Sequence, residues 1–254
     1  MMKLKQLFTI LSILISSTFS LTAATKAFDN ETLRYVISYK WGVIHKDAAD
    51  ATLSLRRNGS NYNVMLTAKT KPWADKFYSV RDTLKGTIRM QDLKPLSYAK
   101  ITHEKGKYAL DEIHYSVSGL NTIGKIKKVR YKKGVEKVTN SQLSSTGPVY
   151  DMLSVFYYLR KLDYSQINKN KIYTATIFSG SKKETIKIKS LGLEKIKMKD
   201  KTEREAYHIK FNFTQAGGKK SSDDIDTWIS TDDSHVPLYL VGKLPIGEVR
   251  ATLI

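Results

Sequence analysis

The chain has 254 residues, 41% of them hydrophobic and 26% charged, with 43 Lys and Arg against 24 Asp and Glu for a formal net charge of +19. This composition excludes a wholly disordered chain, and the lack of cysteine excludes disulfides, thiolate metal sites, iron–sulfur clusters, thiol nucleophiles and a lipid-modified cysteine. The positive charge raises nucleic acid or an anionic surface as a partner.

The first element is a leader. Met1–Gln6 carries Lys3 and Lys5 and no acid, Leu7–Ile15 is predominantly apolar, and Thr22 and Ala24 meet the small-x-small rule for cleavage. The pattern predicts a secretory signal peptide over residues 1–24, because the apolar core is shorter than the roughly 20 residues of a membrane span. Residues 25–254 are then expected to form a single β-rich exported domain of net charge +17, with no membrane span after cleavage. The expected location is the periplasm, including the outer-membrane surface. There the partners are lipid, glycan and envelope polymer, and nucleic acid drops out.

Strands follow. Tyr35, Ile37, Tyr39 and Trp41 share one face, while Arg34, Ser38 and Lys40 share the other. Asn58-Gly59 between two alternating runs predicts a type I′ hairpin, placing Leu55 opposite Tyr62, Leu53 opposite Val64 and Ala51 opposite Leu66. Alternation predicts further strands over 77–90, 96–103, 110–117, 123–132, 173–178, 184–190, 194–198, 206–213, 226–230, 238–241 and 248–253. Between two of these groups, Ser144–Pro148 precedes VYDMLSVFYYLRKLDY. Polar caps, Pro148, the early Asp151 and apolar spacing at Met152, Phe156 and Leu159 predict a helix over about 147–162. The fold class expected is mainly β: a large curved antiparallel sheet, an open or half barrel, with one central helix packed on its concave face between two sheet halves. No linker or internal repeat calls for a second domain.

Lysine dominates 121–210, with 21 Lys and Arg against 8 Asp and Glu, and Lys127, Lys128, Arg130, Lys132 and Lys133 form its densest patch. A solvated outer face that discourages edge-to-edge pairing is the simpler reading; the functional alternative is an anionic envelope partner. His45, His103, His114, His208 and His235 are scattered with no zinc spacing, so no cofactor or metal is expected. Ser230, Asp232 and His235 have the residue types of a hydrolase triad at the spacing of one turn, without a nucleophile elbow. The aspartates at 223, 224, 226, 232 and 233 lack the glycine and glutamate of a calcium loop and read as turn formers. Tyr35, Tyr39, Trp41, Trp73, Phe77, Tyr157 and Trp228 are the candidate lining of a ligand cavity, or else plain core.

Four segments carry a resemblance: ETLRYVISYKWGVI with ADATLSL, KFYSVRDTLKGTI, PVYDMLSVFYYLRKL, and TWISTDDSHVPLYLVGKLPIGEVRATL. Together they resemble the exported bacterial family of domain of unknown function 3108, over nearly the whole mature chain. The last segment is also similar to the terminal hairpin of periplasmic Lol-type lipoprotein carriers, which are half-barrels plugged by helices. The family resemblance implies an envelope location and β architecture, with no established activity and no catalytic residues to carry over. Asp82, Asp151, Arg160, Trp228 and Asp232 match its recurring positions, for which a structural role is expected. It also implies a glycine near Ala48–Asp50, which this chain lacks.

These readings favour a non-enzymatic envelope protein that binds a lipidic or polymeric ligand in its curved sheet. The alternatives are an assembly factor whose lysine-rich surface binds an outer-membrane protein or anionic partner, and an envelope-polymer hydrolase. A packed interior would favour surface recognition, and an open apolar groove would favour carriage. Oligomeric state and ligand identity are not legible in the sequence.

Overall fold

The computed structural model describes residues 27–254 except 105–106, 133, 165, 168–171, 216–217 and 244–246, so the predicted leader lies outside the described residues. In chain order the strands are β1 (Glu31–Trp41), β2 (Ile44–Asn58), β3 (Asn61–Thr70), β4 (Arg81–Arg89), β5 (Pro95–Glu104), β6 (Lys107–Ser118), β7 (Asn121–Lys132) and β8 (Val135–Thr146). They continue as β9 (Val149–Tyr150), β10 (Ile172–Ser179), β11 (Lys182–Lys197), β12 (Glu203–Gln215), β13 (Ile225–Ser230), β14 (Pro237–Lys243) and β15 (Glu248–Leu253). Among the described residues two short helices interrupt them, α1 (Pro72–Asp75) and α2 (Ser154–Leu159).

All fifteen strands belong to one nearly closed, barrel-like sheet. From β1 the chain meanders outward to β8 on one side; from β9 it meanders back to β15, which pairs antiparallel with β1 from Tyr35↔Leu253 to Lys40↔Glu248. The two ends of the meander therefore meet in mid-sheet, and β8 and β9, adjacent in sequence, are its two edges. The β9–β10 pair is parallel, through Thr176↔Val149 and Ile177↔Tyr150. The mainly β, curved antiparallel fold expected from the sequence is the fold observed.

Several local expectations need correction. The β2–β3 hairpin turns at Gly59-Ser60, with φ 58° at Gly59, and Asn58 pairs with Asn61. Leu55 therefore faces Val64 and Leu53 faces Leu66, one residue further along β3's inner face than predicted. Both registers keep Leu53, Leu55, Tyr62 and Val64 on the core side, because side chains alternate with period two. Residues 77–80 are not strand: Pro72 opens α1, where its fixed φ and missing N–H are tolerated, and β4 starts only at Arg81. β8 was not foreseen, since VEKVTNSQLSST lacks apolar alternation and is exposed at almost every position. The predicted strands 184–190 and 194–198 are one strand, kinked by a bulge between Ser190 and Gly192. Where the family resemblance implies a glycine, β2 carries a bulge instead, Ile37 facing Ala49 while Ser38 faces Asp47.

The predicted helix over 147–162 is helical only at its centre. Gly147 adopts φ 82°, Val149 and Tyr150 join the sheet, and the helix begins after Asp151, whose Oδ1 accepts the N–H groups of Leu153 and Ser154 at 2.8 Å each. A six-residue helix is too short to be stable alone and depends on what it buries. Leu153 and Tyr157 enter one core with Leu53, Leu55, Tyr62, Ile88, Tyr98 and Ile113. Val155, Leu159 and Leu162 enter the other with Ile186, Ile188, Ile209 and Ile229. β10 divides in the same way, Phe178 going to the first core and Ile177 to the second. The β9–α2–β10 segment is thus a two-sided wedge between the sheet halves, each large side chain contributing about 1.5–3 kcal/mol by burial. A Cβ at residue 124 would lie 2.8 Å from the Phe178 ring, so Gly124 is what lets β10 close against β7.

Candidate functional site

The strand registers build an open groove of about 440 Å³ on the outer face of β2–β6. Following the pairs across the sheet gives one row, Ser54–Met65–Lys85–Ala99–Glu112. A second row, Arg56–Asn63–Thr87–Ser97–His114, runs beside it. All ten residues line the groove, with Val64, Gly86 and Tyr98 beneath them. Four inter-strand spacings make the rows roughly 19 Å long. Gly86 is required for the close approach of β4 to β5, since a Cβ there would lie 2.7 Å from the Ser97 carbonyl oxygen. Arg56 is held in place by donating to the carbonyl of Glu31 at 2.6 Å and to Thr32 Oγ1 at 2.9 Å. His114 Nε2 lies 3.3 Å from Glu112 Oε1. Hydroxyl, amide and cationic groups stand along the rows while most of the exposed lining between them is apolar, an arrangement that can combine hydrogen bonds with apolar contact along an extended chain.

The predicted aromatic lining does not converge on this groove or on one cavity. Tyr35 and Tyr157 are core, Tyr35 donating its hydroxyl to the Pro237 carbonyl at 2.9 Å. Tyr39 and Trp41 continue Tyr35's face toward the end of β1, where Trp41 is exposed. Trp73 donates Nε1–H to the Asp47 carbonyl at 2.8 Å, and its ring meets the exposed Phe77 edge-on. Trp228 lies on the outer face of the other half, stacked on His208 at 4.4 Å and donating to Glu194 at 2.8 Å.

The basic patch is divided by the pleat. Lys127 is exposed, whereas Lys128 and Arg130 share the face of Ile126 and are partly buried. Arg130 pairs with Asp111 at 2.5 Å and Lys128 donates to Ser181 at 3.4 Å. Lys132 closes β7, and Lys133 lies outside the described residues.

The remaining polar candidates build turns and junctions. Ser230 Oγ donates to Asp232 at 3.1 Å and accepts from the Val236 N–H at 2.8 Å, while His235 Nδ1 approaches the Arg160 carbonyl at 3.1 Å. Its Nδ1 is thus engaged by a backbone carbonyl, where a hydrolase relay would place a carboxylate. Burial works against the Asp232 carboxylate, but hydrogen bonds from Ser234 and Ser230 hold it below the usual range. Asp82 accepts the His103 N–H at 3.3 Å. Asp224 accepts from Asn212 and Lys220, and Asp226 pairs with His208. Arg160 is buried, forms a bidentate pair with Glu31 at 2.5 and 3.1 Å, and donates to the Ser234 carbonyl at 3.1 Å. It therefore ties β1, α2 and the β13–β14 turn together. Asp151 is fully buried, and desolvation raises its carboxyl to about 6 against the hydrogen bonds from Ser154 and Leu153. Among the described residues, its Oδ2 and the Tyr115 hydroxyl have no hydrogen-bond partner.

From sequence, His114 is named only among the scattered histidines and Val64 only as a core-facing hairpin partner, and neither is placed in a groove. The ten row residues lie on the outer side of predicted strands, but the rows appear only once five strands are in register.

Comparison with known proteins places the chain. Residues 34–254 match the family described as "Protein of unknown function (DUF3108)". A crystal structure of a beta-barrel-like protein of domain of unknown function DUF1849 from Brucella abortus is similar in fold, with a TM-score of 0.58 at 6% identity over 90% of this chain and 97% of that one. No curated protein matches. The likeness of the last segment to Lol-type carriers rests on sequence alone. The chain belongs to the DUF3108 family.

Proposed function

We propose that this DUF3108 protein is a non-enzymatic, exported envelope protein that holds a hydrophilic polymer chain in the groove across β2–β6. The two side-chain rows carry the reading: the second offers a polar side chain on each of five strands and the first on three of them, and a volume of about 440 Å³ falls in the range of ligand sites. Arg56, Lys85 and His114 against Glu112 favour an anionic or hydroxyl-rich chain. The leader pattern of residues 1–24 supports export. An acyl chain in the interior is disfavoured, because Leu153, Val155, Tyr157, Leu159 and Phe178 occupy the space between the halves.

The test is titration with alginate oligomers and with neutral dextran oligomers, followed by the NMR resonances of Met65, Ala99 and His114. Alginate should shift all three, and Lys85→Glu should weaken the response. No shift with either polymer at millimolar concentration overturns the proposal.

An assembly factor for an outer-membrane protein is the second reading. It draws on β8, a twelve-residue exposed edge paired with β7 alone, the geometry used in strand addition. Retention of an envelope protein by the immobilised chain, abolished by Asn140→Pro, would favour it over the groove.

A further inference from the structure

The β1–β2 hairpin and the β3–β4 connection form a second surface, at one end of the barrel wall. Trp41, Val43 and Phe77 are 56, 102 and 75% exposed there, and Tyr78 is exposed beside Phe77. Their supports are rigid. Tyr39 stands opposite Lys46, so the aromatic face of β1 adjoins that lysine on β2. The Lys46 ammonium lies 4.4 Å from the Trp73 ring centroid, and the Trp73 and Phe77 rings meet at 6.3 Å. Backbone N–H of Lys71 donates to the Ala48 carbonyl at 2.8 Å, fixing α1 against β2.

The charge around this face is predominantly positive. Residues 39–46 and 69–78 contain Lys40, Lys46, Lys69, Lys71 and Lys76. Within these spans the single acid is Asp75, paired with Arg81 at 2.7 Å; on the adjoining stretch of β2, Asp50 pairs with Lys71 at 3.3 Å and Asp47 pairs with Lys199, so the balance on the face stays positive through Lys40, Lys46, Lys69 and Lys76. Aromatic side chains projecting from fixed backbone, ringed by lysines with long apolar stems, match the headgroup layer of an anionic bilayer. A second copy fits poorly, since self-association would press two lysine rings together on a chain already at +19.

We propose that this face docks on an anionic lipid surface, with Trp41, Val43 and Phe77 entering the headgroup region and the lysines meeting lipid phosphates. The groove lies on the outer face of β2–β6, away from this end, and stays open in the docked protein. The proposal therefore stands independently of the polymer reading.

Co-sedimentation of the purified protein with vesicles tests it. Vesicles of phosphatidylglycerol and phosphatidylcholine should bind the protein, phosphatidylcholine alone should not, and added salt should release it. Lys69→Gln and Lys76→Gln should each weaken binding about fivefold. The double variant Trp41→Ser with Phe77→Ser should remove binding while circular dichroism and polymer titration stay unchanged. Leu120→Ser, at an exposed apolar position on the β6–β7 hairpin at the opposite end, should have no effect. Equal binding to neutral vesicles, an unaffected double variant, or an equal loss with Leu120→Ser overturns the proposal. So does a vesicle-free dimer that Phe77→Ser dissociates.

Discussion

The two halves of the sheet treat their outer faces in opposite ways. In β1–β8 most of the connections are tight turns, and among the described residues the groove lies open on the outer face of β2–β6. In β9–β15 the bulge at Ser190/Gly192 bends the long β11–β12 hairpin out of the sheet plane. Its far end folds back over the wall: Met198 and Ile196 pack with Ala206, Trp228 and Leu238, and Lys199 reaches Asp47 on β2, 152 residues away. Glu194 on the same arm accepts from Trp228 and pairs with His208. One half covers its outside with its own chain and the other leaves a polar, hydrogen-bonding surface open. One continuous sheet thus yields one self-satisfied wall and one recognition wall.

The comparison breaks first at the junction of the halves. Arg160 is 1% exposed and Glu31 19%. The guanidinium also sits 4.8 Å from the Phe28 ring and 5.3 Å from that of Tyr157. Arg160→Ala leaves the Glu31 carboxylate half-buried without its partner and should destabilise the fold by about 3–5 kcal/mol in urea denaturation. Arg160→Lys should recover only part, because an ammonium cannot make the two parallel bonds. Arg160→Met combined with Glu31→Gln should recover more than either single change, as apolar replacement of a buried pair does. A loss under 1 kcal/mol in Arg160→Ala would show that the halves hold together without this pair.

Asp151, at the head of the wedge, adds a pH dependence. Its folded pKa, about 6, is raised from the ordinary 3.8 by burial, so the native state holds the proton more tightly than the unfolded one. Its contribution is fully present below about pH 3.8 and is lost as pH rises through 6, a change of roughly 3 kcal/mol. Urea midpoints between pH 4.5 and 7.5 should therefore fall in the natural protein. In Asp151→Asn, which keeps the carbonyl that accepts from Leu153 and Ser154, they should stay level. The same slope in the variant would assign the pH dependence to another group.

What sequence reveals here follows from what each feature depends on. Ile186 and Ile188 alternate with Lys187 and Lys189, so β11 is legible locally; the bulge at Gly192 needs the partner strand. The two-sided apolar pattern of 149–162 is real, but Val149 and Tyr150 spend it on pairing with β10, a contact that no local rule predicts. β8 is a strand because β7 offers it hydrogen bonds over twelve residues, and its own side chains bury almost nothing. Asp151 and Arg160 were legible as positions shared with the family, while the burial that gives them their chemistry is tertiary. The groove is the extreme case. It depends on four hairpin registers in succession, and each hairpin loop shifts every row beyond it.

The smallest expected effect tests whether the second wall is covered by packing or by charge. Lys199 and Asp47 are 46 and 37% exposed, so solvent screens their attraction and the pair should contribute under about 1 kcal/mol. Its clearest trace is at acid pH. The Lys199 hydrogen bond is the main cause holding the Asp47 carboxyl below its ordinary value, partly offset by burial and aided by Ser38. A depressed acid stabilises above its unfolded pKa and stops doing so as pH falls through the folded one. Lys199→Ala should therefore lower stability slightly at pH 7 and leave it almost unchanged below pH 3. If Met198 and Ile196 hold the arm, hydrogen exchange over 193–204 stays slow in the variant, and the Trp228 emission does not move. Faster exchange across that whole span would mean that the tip pair, weak as it is, closes the wall, and that the two outer faces differ by one ion pair instead of by a packed third core.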